Sequence, residues 1–178
     1  YLYLAHQKEG LEPVSMLPED MTVQDQESDS FLKYYSKDQK RPKEKKTRAF
    51  QIRRKKKDGN HLHVHESVVS VKEVLKRSRE LGVSMTVFLT AVFLKAIHEE
   101  MSKMQEKKPI VLMVPVNLRK FFPSTSMLNF FNWIEPGYDF SKRDRSFEEV
   151  LRYTNDFFEE QLTKEKMSAH INDLLALE

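Results

Sequence analysis

The sequence contains no cysteine. This absence excludes disulfide frameworks, cysteine-bound zinc, thiol nucleophiles and iron–sulfur clusters. It also fits a reducing compartment, so we expect a cytoplasmic protein. Glycine is scarce as well: the chain has 4, and neither a Gly-x-Gly string nor a Gly-Lys-Ser/Thr string occurs. A glycine-rich phosphate loop is therefore excluded.

The chain also lacks a dominant charge and a long apolar run. Lys and Arg number 30 against 27 Asp and Glu, which leaves a formal net charge of +3 over 178 residues. A charge this small identifies neither a nucleic acid nor a membrane as a partner. The longest apolar runs, 87–94 and 110–116, fall far short of the roughly 20 residues that span a bilayer. We therefore predict no transmembrane helix.

The first 46 residues differ in composition from the rest. Residues 1–8 follow a helical pattern that meets Gly10, which is typical of the end of a helix whose start lies upstream. Residues 11–29 are rich in Pro, Asp, Glu and Ser, which gives a segment with little to bury. We predict that residues 1–46 are the end of a preceding helix followed by a polar and basic linker. Residues 47–178 should form one C-terminal lobe.

Basic side chains concentrate between Lys40 and Lys57, where they could neutralise phosphates. Phe50 is the one aromatic residue in that stretch, whereas proteins that bind single strands use repeated aromatic platforms. The favoured interpretation is a solvated linker that continues into an edge strand. Nucleic acid is disfavoured as a partner.

Turn signals and hydrophobic periodicity divide the rest of the chain into elements. The predicted elements are a hairpin of 47–56 with 61–69, helices at 71–81 and 84–103, strands at 110–116 and 129–140, a helix from Ser146 to Leu162, and a helical stretch at 173–178. We expect the second helix to be buried on more than one side and the first strand to be covered on both faces. The elements predict an α/β or α+β two-layer sandwich, with helices packed on a mixed sheet.

Three histidines alternate along the second strand of the predicted hairpin. His61, His63 and His65 would project from one face, and a His-x-His pair can supply two metal ligands. No third ligand is fixed by the sequence, so a solvent-facing strand side is the favoured interpretation. We predict no metal site.

Aromatic residues cluster in the second half of the chain: Phe121, Phe122, Phe130, Phe131 and Trp133. They could line an apolar tunnel for an acyl chain, but the hydrophobic core is the favoured interpretation. No nucleophile elbow and no His-Glu-x-x-His string arranges the polar residues into a site. We therefore predict no catalytic residue in this chain.

The apolar strand at 110–116 leads directly to Arg119. A guanidinium at the end of a buried strand needs a carboxylate or carbonyl partner, because an unpaired buried charge is costly. Exposure of Arg119 in the following loop is an equal alternative.

These segments carry a family resemblance. Residues 68–155, and in particular 83–89, 114–124 and 128–131, resemble the second half of condensation-domain and alcohol-acetyltransferase-like proteins. Those proteins belong to the chloramphenicol-acetyltransferase-like superfamily of coenzyme-A-dependent acyltransferases. The pair formed by Pro-Val-Asn-Leu-Arg and Asn-Phe-Phe is the specific part of the resemblance.

The resemblance implies two similar lobes with a channel between them, where an acyl thioester and an alcohol or amine enter. Its chemical signature is a His-His-x-x-x-Asp-Gly motif on the first lobe, whose second His acts as general base or positions the acceptor. No His-His pair occurs in this sequence. The resemblance assigns Arg119 as the partner of the motif aspartate, and Asn117 and Asn129 as structural or channel positions.

We therefore predict the C-terminal lobe of an acyltransferase that transfers an acyl group from a thioester, on coenzyme A or a carrier protein, to an alcohol or amine. Alone the chain should be inactive, because acceptor deprotonation needs a positioned base. The alternative is a non-catalytic binding or scaffold module of the same fold. No covalent cofactor is expected. The predicted partners are the missing N-terminal lobe and small-molecule acyl donors and acceptors, and apolar surface left open would allow self-association.

Overall fold

The computed structural model describes residues 22–36, 47–52 and 66–175. The helices are α1 (Val23–Glu27), α2 (Ser30–Tyr34), α3 (Val71–Glu80), α4 (Met85–Glu99), α5 (Phe147–Gln161) and α6 (Lys164–Leu175). The strands are β1 (Ile110–Val111), β2 (Val114–Asn117), β3 (Phe131–Ile134) and β4 (Gly137–Tyr138), and short 3-10 helices cover Gln105–Lys107 and Leu118–Lys120. This element content confirms a mixed α/β fold. The described strands pair antiparallel.

The four strands form one long hairpin. β1 pairs with β4 and β2 with β3 in a single register, in which Ile110 lies opposite Tyr138 and Asn117 opposite Phe131. The Leu112 N–H donates to the carbonyl of Pro136 at 3.0 Å, which continues the ladder across the irregular residues between the two pairs. We call the pairing of 110–117 with 131–138 the central hairpin.

The prediction that strand 110–116 is covered on both faces was wrong. Ile110 is buried, but Val111 is exposed and Met113 is 69% exposed, so one face packs on the protein and the other points outward. A short apolar run does not distinguish a strand covered on both faces from one covered on a single face.

The predicted first hairpin is described only at its two ends. Residues 47–52 and 66–69 are not in strands, and residues 53–65, with His61, His63 and His65, lie outside the described residues. The Phe50 N–H donates to the Pro109 carbonyl at 2.8 Å. This bond holds 47–52 beside the start of β1.

Helices α3 and α4 begin at the predicted serine caps. The Oγ of Ser70 accepts from a backbone N–H at 3.4 Å, and the Oγ of Ser84 does the same at 3.2 Å. Between the helices, Gly82 has a φ of 71°. The helix pair is bent by 90°, and within the described residues no single helix is long and apolar enough to cross a membrane, although this bent pair passes the test of length and composition.

Helix α4 buries one face, whereas the sequence predicted burial on more than one side. Val87, Ala91 and Leu94 form the buried face. A second apolar face is exposed: Met85, Leu89, Val92 and Phe93, of which Phe93 is 60% exposed. The helix also ends at Glu99, four residues before the predicted end, because the next two N–H groups turn back to the carbonyls of Ile97 and His98.

The core lies between α4, α5, α6 and the inward face of the central hairpin. Its buried apolar residues are Val87, Ala91, Leu94, Ile110, Leu118, Phe122, Phe130, Ile134, Tyr138, Phe140, Val150, Leu151, Phe158, Met167 and Ile171. A two-stranded hairpin is marginal alone, so this burial under helices stabilises it.

Helix α5 begins after Ser146 as predicted, but the predicted capping hydrogen bond is not made. The Ser146 side chain makes no capping hydrogen bond; instead the carboxylate of Asp144 accepts the Ser146 N–H at 2.6 Å. The hydrogen bonds from Ser146 lower the pKa of Asp144. Acidic residues in the first turn, Glu148 and Glu149, complement the positive end of the helix dipole.

Helix α6 was predicted only in its last part, at 173–178. It begins at Lys164 and buries Met167, His170 and Ile171 against the lobe. Residues 176–178 lie outside the described residues. The prediction missed 164–172 because lysines and glutamates interrupt the apolar pattern of the first turn.

Part of the predicted linker packs on the lobe. Within 22–36, the ring of Phe31 meets that of Phe130 edge to face at 5.1 Å, and the ring of Tyr34 lies 5.0 Å from that of Phe122. These two ring contacts hold α2 against the core, because aromatic pairs at such separations are favourable.

Gly82→Ala should lower the free energy of unfolding by about 1–2 kcal/mol, because a Cβ disfavours the left-handed backbone conformation at this position. No atom lies within 4 Å of the added Cβ, so a clash would not contribute. Gly82→Asn is the matched control, and it should lose less because Asn adopts this conformation more readily. Urea denaturation measures both, and equal stability of the Ala variant and the unmodified chain would contradict the prediction.

Candidate functional site

The residues assigned by resemblance meet at one end of the central hairpin. Asn117 is the last residue of β2, Arg119 lies in the 3-10 helix that follows, and Asn129 lies in the loop just before β3. The N–H of Leu118 donates to the carbonyl of Phe130 at 3.2 Å, which ties the two chain segments together. The side-chain oxygen of Asn117 accepts the Arg119 N–H at 3.1 Å and so caps the 3-10 helix.

The guanidinium of Arg119 binds two carbonyls. Its Nη2 donates to the carbonyl oxygens of Ser126 and Leu128, both at 2.7 Å. Of the two sequence-based alternatives, the paired one is therefore correct: Arg119 is half-buried and its partners are carbonyls. That it also partners a motif aspartate stays a prediction, because the motif is not in this sequence.

The contacts of Arg119 organise the loop from 121 to 130, which we call the Arg119 loop. Within it, the Ser126 hydroxyl donates to the Gln26 carbonyl at 3.2 Å, and the Met127 N–H donates to the same carbonyl at 2.8 Å. The Leu128 N–H donates back to the Ser126 Oγ at 3.2 Å. Arg119 thus fixes the loop on which the α1 segment rests.

An exposed apolar surface surrounds this end of the hairpin. Phe131, directly opposite Asn117, is 49% exposed, and Met127, Leu128 and Met113 are exposed as well. Asn117 and Asn129 are also exposed. A group of exposed apolar side chains of this kind can mark an interaction or ligand face.

The aromatic cluster divides between core and surface. Phe122 and Phe130 are buried and belong to the core, as the favoured interpretation had it. Phe131 and Trp133 are two residues apart on β3 and share its outward face, where Phe131 is exposed and Trp133 lines a cleft. Alternation along the strand separates Phe130 from Phe131, but which of the two faces is covered depends on where the helices pack.

The cleft has a volume of about 1260 Å³ and is lined by β3–β4, by the helices α5 and α6, and by Thr47, Ala49, Pro109 and Val111. We call it the edge cleft. Its polar lining includes Asn132, Gln161 and His170, each of them buried. The sequence predictions singled out none of these three residues. They line one cleft because α6 packs beside β3, and the first turns of α6 were not predicted.

Asp139 lies on the rim of the edge cleft. Burial alone would raise the pKa of Asp139, but hydrogen bonds from Ser141 and the ammonium of Lys142 outweigh it and lower the pKa. The Ser141 hydroxyl donates at 2.6 Å and the Lys142 ammonium lies at 3.0 Å. The carboxylate is therefore ionised at neutral pH.

His98, at the end of α4, packs against the core. The ring of His98 stacks on that of Phe140 at 3.9 Å, and its Nε2 lies 3.2 Å from Glu106 Oε1. The other oxygen of Glu106 accepts from Arg145 at 2.8 Å. Within the described residues no three His, Asp or Glu side chains form a group that could hold a metal ion.

Comparison with known proteins identifies the class. Residues 12–159 match the alcohol acetyltransferase family, which covers most of the chain. The chain therefore belongs to the alcohol acetyltransferase family, which is consistent with an acyltransferase of the coenzyme-A-dependent superfamily. Neither the curated proteins nor the solved structures gave a match to this chain.

Arg119→Ala should lower the free energy of unfolding by about 1.5–3 kcal/mol, because it removes two charge-assisted hydrogen bonds to carbonyls. Arg119→Lys should lose less, since an ammonium can still reach a carbonyl. Lys120→Ala changes the exposed neighbour and should stay within about 0.5 kcal/mol of the unmodified chain. Chemical denaturation measures all three, and equal effects at 119 and 120 would show that the carbonyl contacts contribute nothing.

Asp139→Asn should flatten the acid side of the stability curve. A carboxyl with a lowered pKa in the folded state contributes stability above its unfolded pKa, and this stability is lost as pH falls through the folded pKa. The difference between variant and unmodified chain should therefore shrink from about pH 5 downward. Ser141→Ala keeps the carboxylate but removes one donor, so NMR titration should show the pKa of Asp139 move back up. An unmoved pKa in that variant would refute the assignment of the cause.

Proposed function

We propose that this chain is the C-terminal lobe of an acyltransferase that moves an acyl group from a thioester, on coenzyme A or a carrier protein, to an alcohol. The observation that carries the proposal is the alcohol acetyltransferase match over residues 12–159. The exposed apolar surface beside Arg119 supports a second lobe, because it offers a face for another folded unit.

Acyl transfer to an alcohol needs a base that removes the hydroxyl proton as the oxygen attacks the thioester carbonyl. Of the described histidines, His98 is held by Glu106 and Phe140 within the core. His170 lies in the edge cleft and is 9% exposed. We propose that the base is instead the second His of the His-His-x-x-x-Asp-Gly motif on the other lobe.

In this proposal Arg119 is a positioning residue. It acts through the Arg119 loop, which borders the exposed apolar surface and carries the carbonyls that the guanidinium binds. Asn117 holds Arg119 in place by capping its 3-10 helix. In this proposal neither residue touches the reacting atoms.

Acetyl-CoA and a series of primary alcohols test the proposal through thiol release and ester formation. This chain alone should show no turnover above the uncatalysed rate. A polypeptide that joins this chain to a lobe carrying the motif should form ester, and replacement of the second His of the motif by Ala should abolish ester formation.

His170→Ala is the control that separates the two candidate bases. If this chain alone forms ester and His170→Ala abolishes ester formation, the base lies in this chain and the proposal is wrong. A longer polypeptide that carries the intact motif but forms no ester would also overturn it.

A further inference from the structure

Helix α4 carries a second row of apolar side chains, on the side away from the core. The row advances by steps of four, three and four residues, which keeps its members on one side of the helix, and each member is exposed. Phe93 lies beside the row and is 60% exposed. We call this surface the α4 stripe: Met85, Leu89, Val92, Phe93 and Ala96.

The α4 stripe points away from the central hairpin. The opposite side of α4, with Ala91 and Leu94, is buried in the core that also contains Ile110 and Ile134 of the hairpin. Helix α4 therefore lies between the hairpin and the stripe. The outward face of the hairpin beside Arg119, where we propose a second lobe, and the α4 stripe can be occupied at the same time.

The composition and spacing of the α4 stripe are typical of a helix that packs on another helix. Alternating steps of four and three residues are those of the a and d positions of paired helices, whose side chains insert between the side chains of the facing helix. Residues 85–94 contain no charged side chain. A helix that covers the stripe therefore needs an apolar face of its own.

Two copies of the α4 stripe complement each other when they run antiparallel. With a two-fold axis between residues 90 and 91, Leu89 faces the partner's Val92, and the long side chain of Met85 faces the partner's Ala96. Large side chains opposite small ones fill the space between two helices. A parallel pair would place two alanines opposite each other at 96 and leave a gap there.

The charges at the two ends of α4 also favour an antiparallel second copy. Glu99 and Glu100 are exposed at the C-terminal end. Arg79 is exposed beside the N-terminal end, where the Gly82 N–H turns back to the Arg79 carbonyl at 3.0 Å. Within the described residues none of these three charged side chains makes an ion pair. A two-fold axis brings the acidic end of each α4 to the basic end of the other.

We propose that the α4 stripe is a homodimer interface, in which a second copy of this chain packs antiparallel on α4. From residue 85 to residue 100 the helix is about 24 Å long. One helix face of this length buries less than the roughly 800 Å² per partner of a standard interface, so we expect a weak dimer that dissociates on dilution. The inference does not depend on acyl transfer, and its test uses no acyl donor.

Analytical ultracentrifugation of this chain between about 1 and 500 μM tests the proposal, and we expect a monomer–dimer equilibrium. Phe93→Glu places a carboxylate of each copy in the apolar interface, which should raise the dimer dissociation constant by about 10-fold or more. Met113→Glu is the matched control. It adds the same charge at a residue that is 69% exposed on the outward face of the hairpin, and it should leave the constant unchanged. Circular dichroism checks that both variants are folded.

A charge swap tests the orientation of the two helices. Arg79→Glu should raise the dissociation constant by about 2- to 10-fold, because like charges then face each other at both ends of the interface. Adding Glu100→Arg to that variant should lower the constant again. Within one copy these residues lie at opposite ends of α4, so the recovery has to come from contact between copies.

Disulfide formation provides a direct measure of the contact, since the chain has no cysteine of its own. A mixture of Met85→Cys and Ala96→Cys chains should form a mixed disulfide dimer under mild oxidation. Met85→Cys alone should not, because antiparallel helices place the two copies of residue 85 about 16 Å apart along the axis, beyond the reach of a disulfide.

The proposal is overturned if the chain is a monomer throughout the concentration range. A monomer that sediments with phosphatidylcholine vesicles would assign the α4 stripe to a lipid surface instead. The proposal is also overturned if Met113→Glu rather than Phe93→Glu removes the dimer, since the outward face of the hairpin would then be the interface. Disulfide formation by Met85→Cys alone, with none in the mixture, would overturn it too, because the helices would be parallel.

Discussion

The antiparallel pairing of 110–117 with 131–138 is the framework on which the helices of the described residues pack. Because a two-stranded hairpin is marginal by itself, its stability depends on the helices packed on its inward face. Ile110, Ile134 and Tyr138 supply that face and are buried against α4, α5 and α6. The helices cover one face, so the outward face stays exposed in the described residues.

The outward face of the hairpin changes in character along its length. Near Arg119 it is apolar and bears the exposed side chains of Phe131, Met127 and Leu128. The cleft that Trp133 lines has five carboxylates against three basic side chains. Phe131 and Trp133 share this face because they are two residues apart on β3. One face of a two-stranded hairpin can therefore carry an apolar region and an acidic one.

Arg119 is a charged residue with a structural role beside the candidate site. Its guanidinium is half-buried, and two carbonyls satisfy one of its nitrogens without a carboxylate. The cost of removing a charge from water is lower for a weakly hydrated guanidinium than for an ammonium, which makes Arg the suitable residue for clamping a loop. The Arg119 loop in turn binds the Gln26 carbonyl. The hydrogen bonds that start at Arg119 therefore reach from the strand end to a segment about 90 residues earlier in the chain.

Local signals in the sequence determined the start of α3, α4 and α5, because Ser70, Ser84 and Ser146 sit at the helix starts and Gly82 supplies a left-handed residue between two of them. The motif residues at 115–119 and 129–131 were enough to indicate the family, which the match over 12–159 confirms. The tertiary structure alone decided that the Ser146 side chain makes no capping hydrogen bond, that one face of 110–116 and of α4 is exposed, and that Asn132 and His170 line the same cleft. Caps and turns depend on neighbours within four residues. The coverage of a face and the lining of a cleft depend instead on elements distant in the chain, and hydrophobic periodicity does not show which of these elements will pack there.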